Sequence, residues 1–508
     1  MAEMGWLFVA LEILAALFLF VLGLGVLAIV CMYIADITQT RHAIRRNYPV
    51  VGRFRYLFEH LGEFFRQYFF AMDREELPFN RAERSWAYRA CKNVDSTVAF
   101  GSTRDLRRPG TVLFVNCPFP TLGKEAVDPD EVVIGPYAQQ PYRTNSLINV
   151  SAMSYGAISR PAVLALSSGA HMAGCWLNTG EGGLSRYHLE GGADIVMQIG
   201  TAKYGVRDAD GNLCENRLRE LAAHAQVKMF ELKLSQGAKP GKGGILPGKK
   251  VTGEIAAIRG ISKGQDSISP NRHTDFDDIG GLLDLIDRIR GVTGKPVGFK
   301  TVVGAYGWLE ELFAEINARG SECAPDFIAI DSADGGTGAA PMSLMDNVGL
   351  PIRESLPMVV DLLHKHALRE RVKLVVSGKL IVPAEVAWAL CAGADFVASA
   401  RGFMFALGCI QAMQCNKNTC PTGITTHDPK LQRGLVPEDK ALRVCNFVKN
   451  MVHEVGVIAH SCGVKHPREL KRFHARIVLD STRSVPLNEL YSDVVATRSA
   501  GTAAKAQS

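Results

Sequence analysis

Two hydrophobic patterns divide the chain. Near its start, residues 13–34 (ILAALFLFVLGLGVLAIVCMYI) form an apolar run without a charge, long enough as a helix to cross about 30 Å of hydrocarbon. A cleaved signal peptide would carry positive charge ahead of a shorter apolar core. Here Glu3 and Glu12 come first, and Arg41, Arg45, Arg46, Arg53, Arg55 and Arg66 follow. The run therefore predicts an anchor over 1–36, single-pass in the cell membrane, with the catalytic body in the cytoplasm by the positive-inside rule. A basic–aromatic neck follows within the extension 37–146. Its segment RFRYLFEHLGEFFRQYFF (53–70) mixes Arg with Phe, Tyr and Leu. It reads as an amphipathic helix, lying on a bilayer or packed against the body.

Residues 91–146 are punctuated by Pro and Gly and predict loops and short strands. From 147 onward short apolar runs alternate with longer helix-like stretches. The candidate strands are 147–154, 176–183, 195–200, 229–237, 296–304, 327–336, 372–380 and 396–403, with helices expected near 161–173, 279–290, 309–318 and 383–390. Eight buried strands with intervening helices predict an α/β fold, a (β/α)8 TIM barrel over 147–440. An open doubly wound sheet is the alternative, but it does not call for polar and Gly-rich residues at all eight strand ends. The remainder, 441–508, reads as a helical extension, then irregular chain ending in a frayed tail.

Composition narrows the class. The 508 residues are 47% hydrophobic, enough for one large barrel with appendages, and a net charge of +6 does not point to nucleic acid. The 12 Cys are too sparse for a secreted disulfide scaffold and leave a few available as metal ligands. Three of them, Cys409, Cys415 and Cys420, lie within twelve residues directly after the last candidate strand. Thiolates suit zinc or iron–sulfur centres. A structural zinc favours four ligands and CxxC pairs, so a cluster short of one iron is the better reading, with buried free thiols as the rival. Glycines end the late strands at 334–341 (DGGTGAAP), 377–379 and 398–402. This is where barrels of this kind bind phosphate, near a helix N-terminus. Gly243–Lys250 nearly matches a P-loop, but it lacks the terminal Ser or Thr, and Pro247 removes a needed N–H.

The segments VSAMSYGAISR (150–160), LNTGEGG (177–183), ELKLSQGAKPGKGGILPGKKV (231–251), SADGGTGAAP (332–341) and GCIQAMQCNKNTCPTGITTHDPKL (from 408) together resemble, in order, the FMN-binding domain of glutamate synthase. The resemblance implies FMN and a [3Fe-4S] cluster held by Cys409, Cys415 and Cys420. It implies flavin contacts from Ser154, Gln198, Lys300, Gly335, Gly336, Thr337, Gly338, Gly378, Ala400 and Arg401, with Lys300 beside the flavin N1–C2=O edge. It implies a substrate site for 2-iminoglutarate, formed from 2-oxoglutarate and ammonia, in which Glu181, Lys233 and Lys239 act catalytically and Gln236 and Arg259 bind substrate. The sequence departs from that family in lacking a Cys nucleophile near Met1 and a dinucleotide fingerprint. Nitrogen is therefore expected from free ammonia, an amine or an ammonia-supplying subunit, and electrons from a carrier such as ferredoxin. The alternatives are an amino-acid or amine dehydrogenase delivering electrons to quinone, and a non-catalytic FMN-binding subunit.

Overall fold

The computed structural model describes residues 2–491 and separates into two compact units that meet between Ala82 and Glu83.

The N-terminal unit is helical. Helix α1 (Ala2–Thr38) contains the apolar run, and none of its most apolar stretch is buried within the chain. A short α2 (Ala43–Asn47) leads to α3 (Val51–Phe65), which continues into one π-helical turn over Arg66–Phe70. The neck is fastened to the end of α1 through Asp36. Its carboxylate accepts from Arg53 Nε and Nη2 at 2.8 and 2.9 Å and from the Val50 backbone N–H at 3.0 Å. Arg45 lies 3.3 Å away.

The larger unit is built on the expected barrel. Its parallel strands are β1 (Ile148–Val150), β2 (Leu177–Asn178), β3 (Ile195–Ile199), β4 (Val227–Lys233), β5 (Val297–Thr301), β6 (Phe327–Asp331), β7 (Lys373–Ser377) and β8 (Phe396–Ser399). Each pairs with its sequence neighbour, and β8 closes on β1 with Ser399 opposite Val150. Strands buried on both faces need continuous apolar runs rather than alternation, which is why these segments stood out. The antiparallel pair Val132–Ile134 and Tyr142–Thr144 sends Ile134 and Tyr142 into a buried cluster with Trp176, Met229, Phe327 and Phe396. Trp176, Phe327 and Phe396 begin or precede their strands, so this cluster seals the N-terminal end of the barrel. The opposite end, where the polar residues gather, remains for ligands.

The outer layer follows local signals. The helix Arg160–Ala173 starts at the N-cap Ser159, whose side chain accepts from the Ala162 N–H, and stops at the left-handed Gly174. The long helix Pro437–Ser461 packs against it. A Cβ at Gly169 would lie 2.5 Å from Val444 Cβ and 2.6 Å from the Ala441 carbonyl oxygen, so the approach depends on glycine. That helix runs across the expected boundary at 440, binding the C-terminal extension into the barrel's shell. Nor is the remainder only helical and irregular: Ala475–Val478 pairs with Val112–Phe114 on one side and Ser484–Pro486 on the other.

Candidate active site

A cavity of about 190 Å³ opens at the C-terminal ends of the strands, far larger than the 10–15 Å³ or so that one ordered water needs. Of the residues singled out in the sequence, Ser154, Glu181, Gln198, Lys233, Gln236, Lys239, Arg259, Lys300, Gly336, Thr337, Gly338, Gly378, Ala400, Arg401 and Cys415 line it. Gly335, Cys409 and Cys420 do not border it. Gly335 instead packs under the loop, where a Cβ on Gly237 would come within 3.0 Å of its Cα.

The floor is a buried polar network across successive strands. Lys300 of β5 contacts Asp331 of β6 at 3.1 Å. Asp331 also accepts from the Gly237 N–H at 2.9 Å and from Ser377 Oγ of β7 at 2.7 Å. Glu231 of β4 accepts from Gln198 Nε2 of β3 at 2.6 Å and Asn178 Nδ2 of β2 at 2.9 Å. Burial pushes the Glu231 carboxyl up, against the pull of Lys300 and the two amides. Burial disfavours the Lys300 ammonium, but Asp331 and Glu231 outweigh it and raise its pKa. Burial likewise opposes ionisation of Asp331, yet Lys300 and its hydrogen-bond donors hold it below the usual carboxylate range.

One wall is a glycine-rich cradle. Gly378 has φ +125°, and a Cβ there would meet Ser332 Cβ at 2.1 Å. At Gly338 a Cβ would meet no protein atom within 4 Å. Arg401, the first residue of the helix after β8, donates from Nη2 to the Thr337 carbonyl at 2.5 Å. Gln236 Nε2 donates to Thr337 Oγ1 at 3.1 Å. Backbone freed of side chains, with a guanidinium behind it, is the arrangement that accommodates a phosphate group.

The other wall gathers cations around one carboxylate. Lys233, the last residue of β4, donates to Glu181 Oε1 at 2.7 Å, with both side chains largely buried. The backbones of Gly200 and Gly244 come so close that a Cβ on either would lie 2.6 or 2.1 Å from Glu181. Burial penalises the Glu181 charge, but Lys233, Lys239 and Arg259 overcome that and keep its pKa low. Burial, reinforced by Lys233, brings Lys239 down to about 8. Its ammonium has no hydrogen bond or ion pair among the described residues. Arg259 donates to Ser267 Oγ at 3.1 Å and Ser154 Oγ at 3.4 Å, while its Nε is buried without a partner.

The sequence reading missed three buried groups. Asp331 ends an otherwise apolar strand and reads there as a strand terminus. Lys250 lies in the segment that imitates a P-loop. That segment instead forms the short pair Ile245–Leu246 with Ser267–Ile268 at the cavity rim. Lys250 Nζ donates to the Ala157 carbonyl at 2.8 Å and the Cys415 carbonyl at 3.2 Å, tying the rim to the cysteine loop. His273 Nε2 lies 3.0 Å from the Lys233 carbonyl. Neither Asp331 nor His273 carries a local motif.

The cysteine loop is unusual in its backbone. Gln411, Met413 and Asn418 all have φ between 51° and 61°, a conformation that non-glycine residues seldom adopt outside functional segments. Two donors point at sulfurs, the Gln411 N–H at 3.4 Å from Cys409 and Arg401 Nη1 at 3.9 Å from Cys415, and the Thr422 hydroxyl lies 3.4 Å from Cys420 Sγ. Among the described residues, no three Cys, His, Asp or Glu side chains gather tightly enough for a single metal ion.

Residues 124–465 match the conserved region of glutamate synthase. A glutamate synthase large subunit-like protein of Bacillus subtilis (strain 168) is 42% identical, over 91% of this chain and 95% of its own length. An archaeal-type glutamate synthase [NADPH] of Thermotoga sp. (strain RQ2) is 37% identical over 63% of this chain, which spans 60% of that enzyme. A large subunit-like protein of Rhizobium meliloti (strain 1021) is 31% identical over 68% and 78%. Among solved structures, a flavocytochrome b2 variant with benzoylformate aligns over 86% of this chain and 90% of its own, at 15% identity and a TM-score of 0.45.

Proposed function

Because this chain belongs to the glutamate synthase family of oxidoreductases, we propose that it is an FMN- and iron–sulfur-dependent enzyme that reduces a 2-iminoglutarate-like substrate, formed from 2-oxoglutarate and ammonia or an amine, to glutamate or an N-alkyl glutamate. In this reading it acts on CH–NH2 groups, draws electrons from a separate carrier of the ferredoxin type, and is held at the cell membrane by α1 with its barrel in the cytoplasm.

The observation that carries the proposal is the pairing of two unlike walls. Lys239, without a partner, and Arg259, with a buried unpaired Nε, face a cavity whose other wall is the glycine cradle. A small dicarboxylate needs converging cations, and Lys239 and Arg259 would take its two carboxylates. Gln236 adds an amide. Glu181, kept ionised by its neighbours, accepts a hydrogen bond from the substrate nitrogen and, with Lys233, holds or moves its proton.

The same cavity would hold the flavin. Gly336, Thr337, Gly338, Gly378, Ala400 and Arg401 would hold its phosphate end. Ser154 and Gln198 would contact its ribityl and ring portions, and Lys300 would supply positive charge at the ring edge. When bound, FMN supplies two-electron reduction of the imine carbon while exchanging single electrons with the cluster. For the cluster, Cys409, Cys415 and Cys420 are the thiolate donors and the groups aimed at their sulfurs are the tuning hydrogen bonds. The reverse direction, an amino-acid or amine dehydrogenase feeding quinone, is favoured by one feature, the unburied apolar helix α1.

The test uses full-length protein purified anaerobically in detergent, assayed for flavin and iron, and reduced. Adding 2-oxoglutarate with ammonium or methylamine should restore the oxidised flavin spectrum. A flavin that stays reduced with both nitrogen donors, but is bleached from the oxidised state by glutamate or N-methylglutamate, would reverse the assignment.

A further inference from the structure

We infer that α3 and the π-helical turn after it lie in the headgroup region of a bilayer carrying anionic lipid, as a second membrane element distinct from the span. The inference rests on the reading of α1 as a membrane anchor. Within 51–69, Val51, Phe54, Phe58, Phe65 and Phe69 recur at intervals of three, four, seven and four residues, which places them on one face of a helix. The rings confirm it: Phe54 stacks toward Phe58 with centroids 6.4 Å apart, and Phe65 toward Phe69 at 5.5 Å. All five are exposed, Phe58 at 66% and Phe69 at 69%. Leu57 and Tyr68 widen the stripe, and Phe70 and Met72 extend it.

So much exposed aromatic surface on one helix marks a contact site. Three observations identify lipid as its occupant. The stripe begins thirteen residues after α1 ends at Thr38, so a membrane around α1 is already at hand. The Asp36–Arg53–Arg45 fastening ties the neck to the last turn of that span rather than leaving it to swing. Arg55 and Arg66, both exposed, flank the stripe along one edge, and Arg41 and Arg46 precede the helix. This is the distribution that suits anionic headgroups. A coiled-coil seam between two copies would instead favour Leu and Ile at its core positions.

The experiment uses the full chain in nanodiscs of phosphatidylcholine and phosphatidylglycerol. The photo-reactive residue p-benzoylphenylalanine is placed singly at Leu19 in α1, at Phe58 and Phe69 on the apolar face, and at Glu59 on the polar face. After irradiation, intact mass is expected to show lipid adducts at 19, 58 and 69 and none above background at 59. Adducts at 19 without any at 58 or 69 would overturn the inference while leaving the anchor standing. Covalent dimers in place of lipid adducts at 58 would overturn it in favour of a second copy. No adduct at 19 would remove the anchor, and the inference with it.

Discussion

Lys239 gives the sharpest test of the substrate site. A lysine that moves from 10.5 to about 8 on folding costs about 3 kcal/mol wherever it is charged in both folded and unfolded chains, at 1.36 kcal/mol per pH unit. The folded pKa is depressed and the charged form is the protonated one, so the unfolded chain binds the extra proton between pH 8 and 10.5. The unliganded protein should therefore gain stability from this group as pH rises through that window. A bound dicarboxylate reverses the preference, because it needs the ammonium. Binding should take up about half a proton at pH 8 and nearly one at pH 9, and affinity should weaken by about fivefold between pH 8 and 9 as the charged form becomes scarce. Lys239→Met should abolish the uptake. At pH 7 it should also weaken 2-oxoglutarate binding roughly tenfold to a hundredfold, the worth of a charged hydrogen bond at about 1.5–3 kcal/mol. Isothermal titration calorimetry of the holoenzyme in two buffers of different ionisation enthalpy measures both quantities. Proton uptake that persists unchanged in Lys239→Met, or unaltered affinity at pH 7, would refute the role assigned to this residue.

Asp331→Asn keeps the shape of the floor but removes a charge 3.1 Å from Lys300, an interaction worth about 5 kcal/mol at an effective dielectric constant of 20. Because it leaves a buried ammonium undercompensated, denaturation of the holoprotein should register a loss of about 3–5 kcal/mol, and an unchanged midpoint would contradict the network. Gly338→Ala should leave unfolding unchanged yet weaken flavin retention on gel filtration, since its Cβ would meet no protein atom and would enter the cavity. Gly378→Ala, which drives a Cβ into Ser332, should lower both. Changing any one of Cys409, Cys415 or Cys420 to Ser should remove the iron signal, whereas Cys391→Ser, in a buried helix away from that loop, should keep it; full iron in all three loop variants would disprove the cluster.

The barrel was legible because most of its strands are short, largely apolar runs ending in Gly or a polar residue, a pattern that survives without knowledge of neighbours. The same holds for Lys233 and Lys300, which sit at those ends. What the sequence could not disclose was pairing at a distance. The three-residue strand Val112–Phe114 has too little length for any periodicity, and its partner Ala475–Val478 lies in a stretch that reads as irregular. Asp331 and Glu231 look like stray carboxylates in apolar strands until the neighbouring strands bring Lys300, Gln198 and Asn178 to them. Lys250 was hidden by a false likeness to a phosphate loop, and only the contact with the Cys415 carbonyl gives it a part.

The pairing of Val112 with Ile477 bears on how the chain is made. The apolar α1 leaves the ribosome before the barrel, whereas the strand that completes the outer sheet leaves after it. Nearly the whole catalytic unit must be synthesised before that contact closes, and closing so long a loop is entropically costly and slow. During translation the unfinished barrel exposes unpaired parallel strand edges, the condition in which chains aggregate. With α1 as the proposed anchor, a nascent chain held early at a membrane surface would be kept apart from its neighbours through that interval, so tethering would serve assembly of the protein.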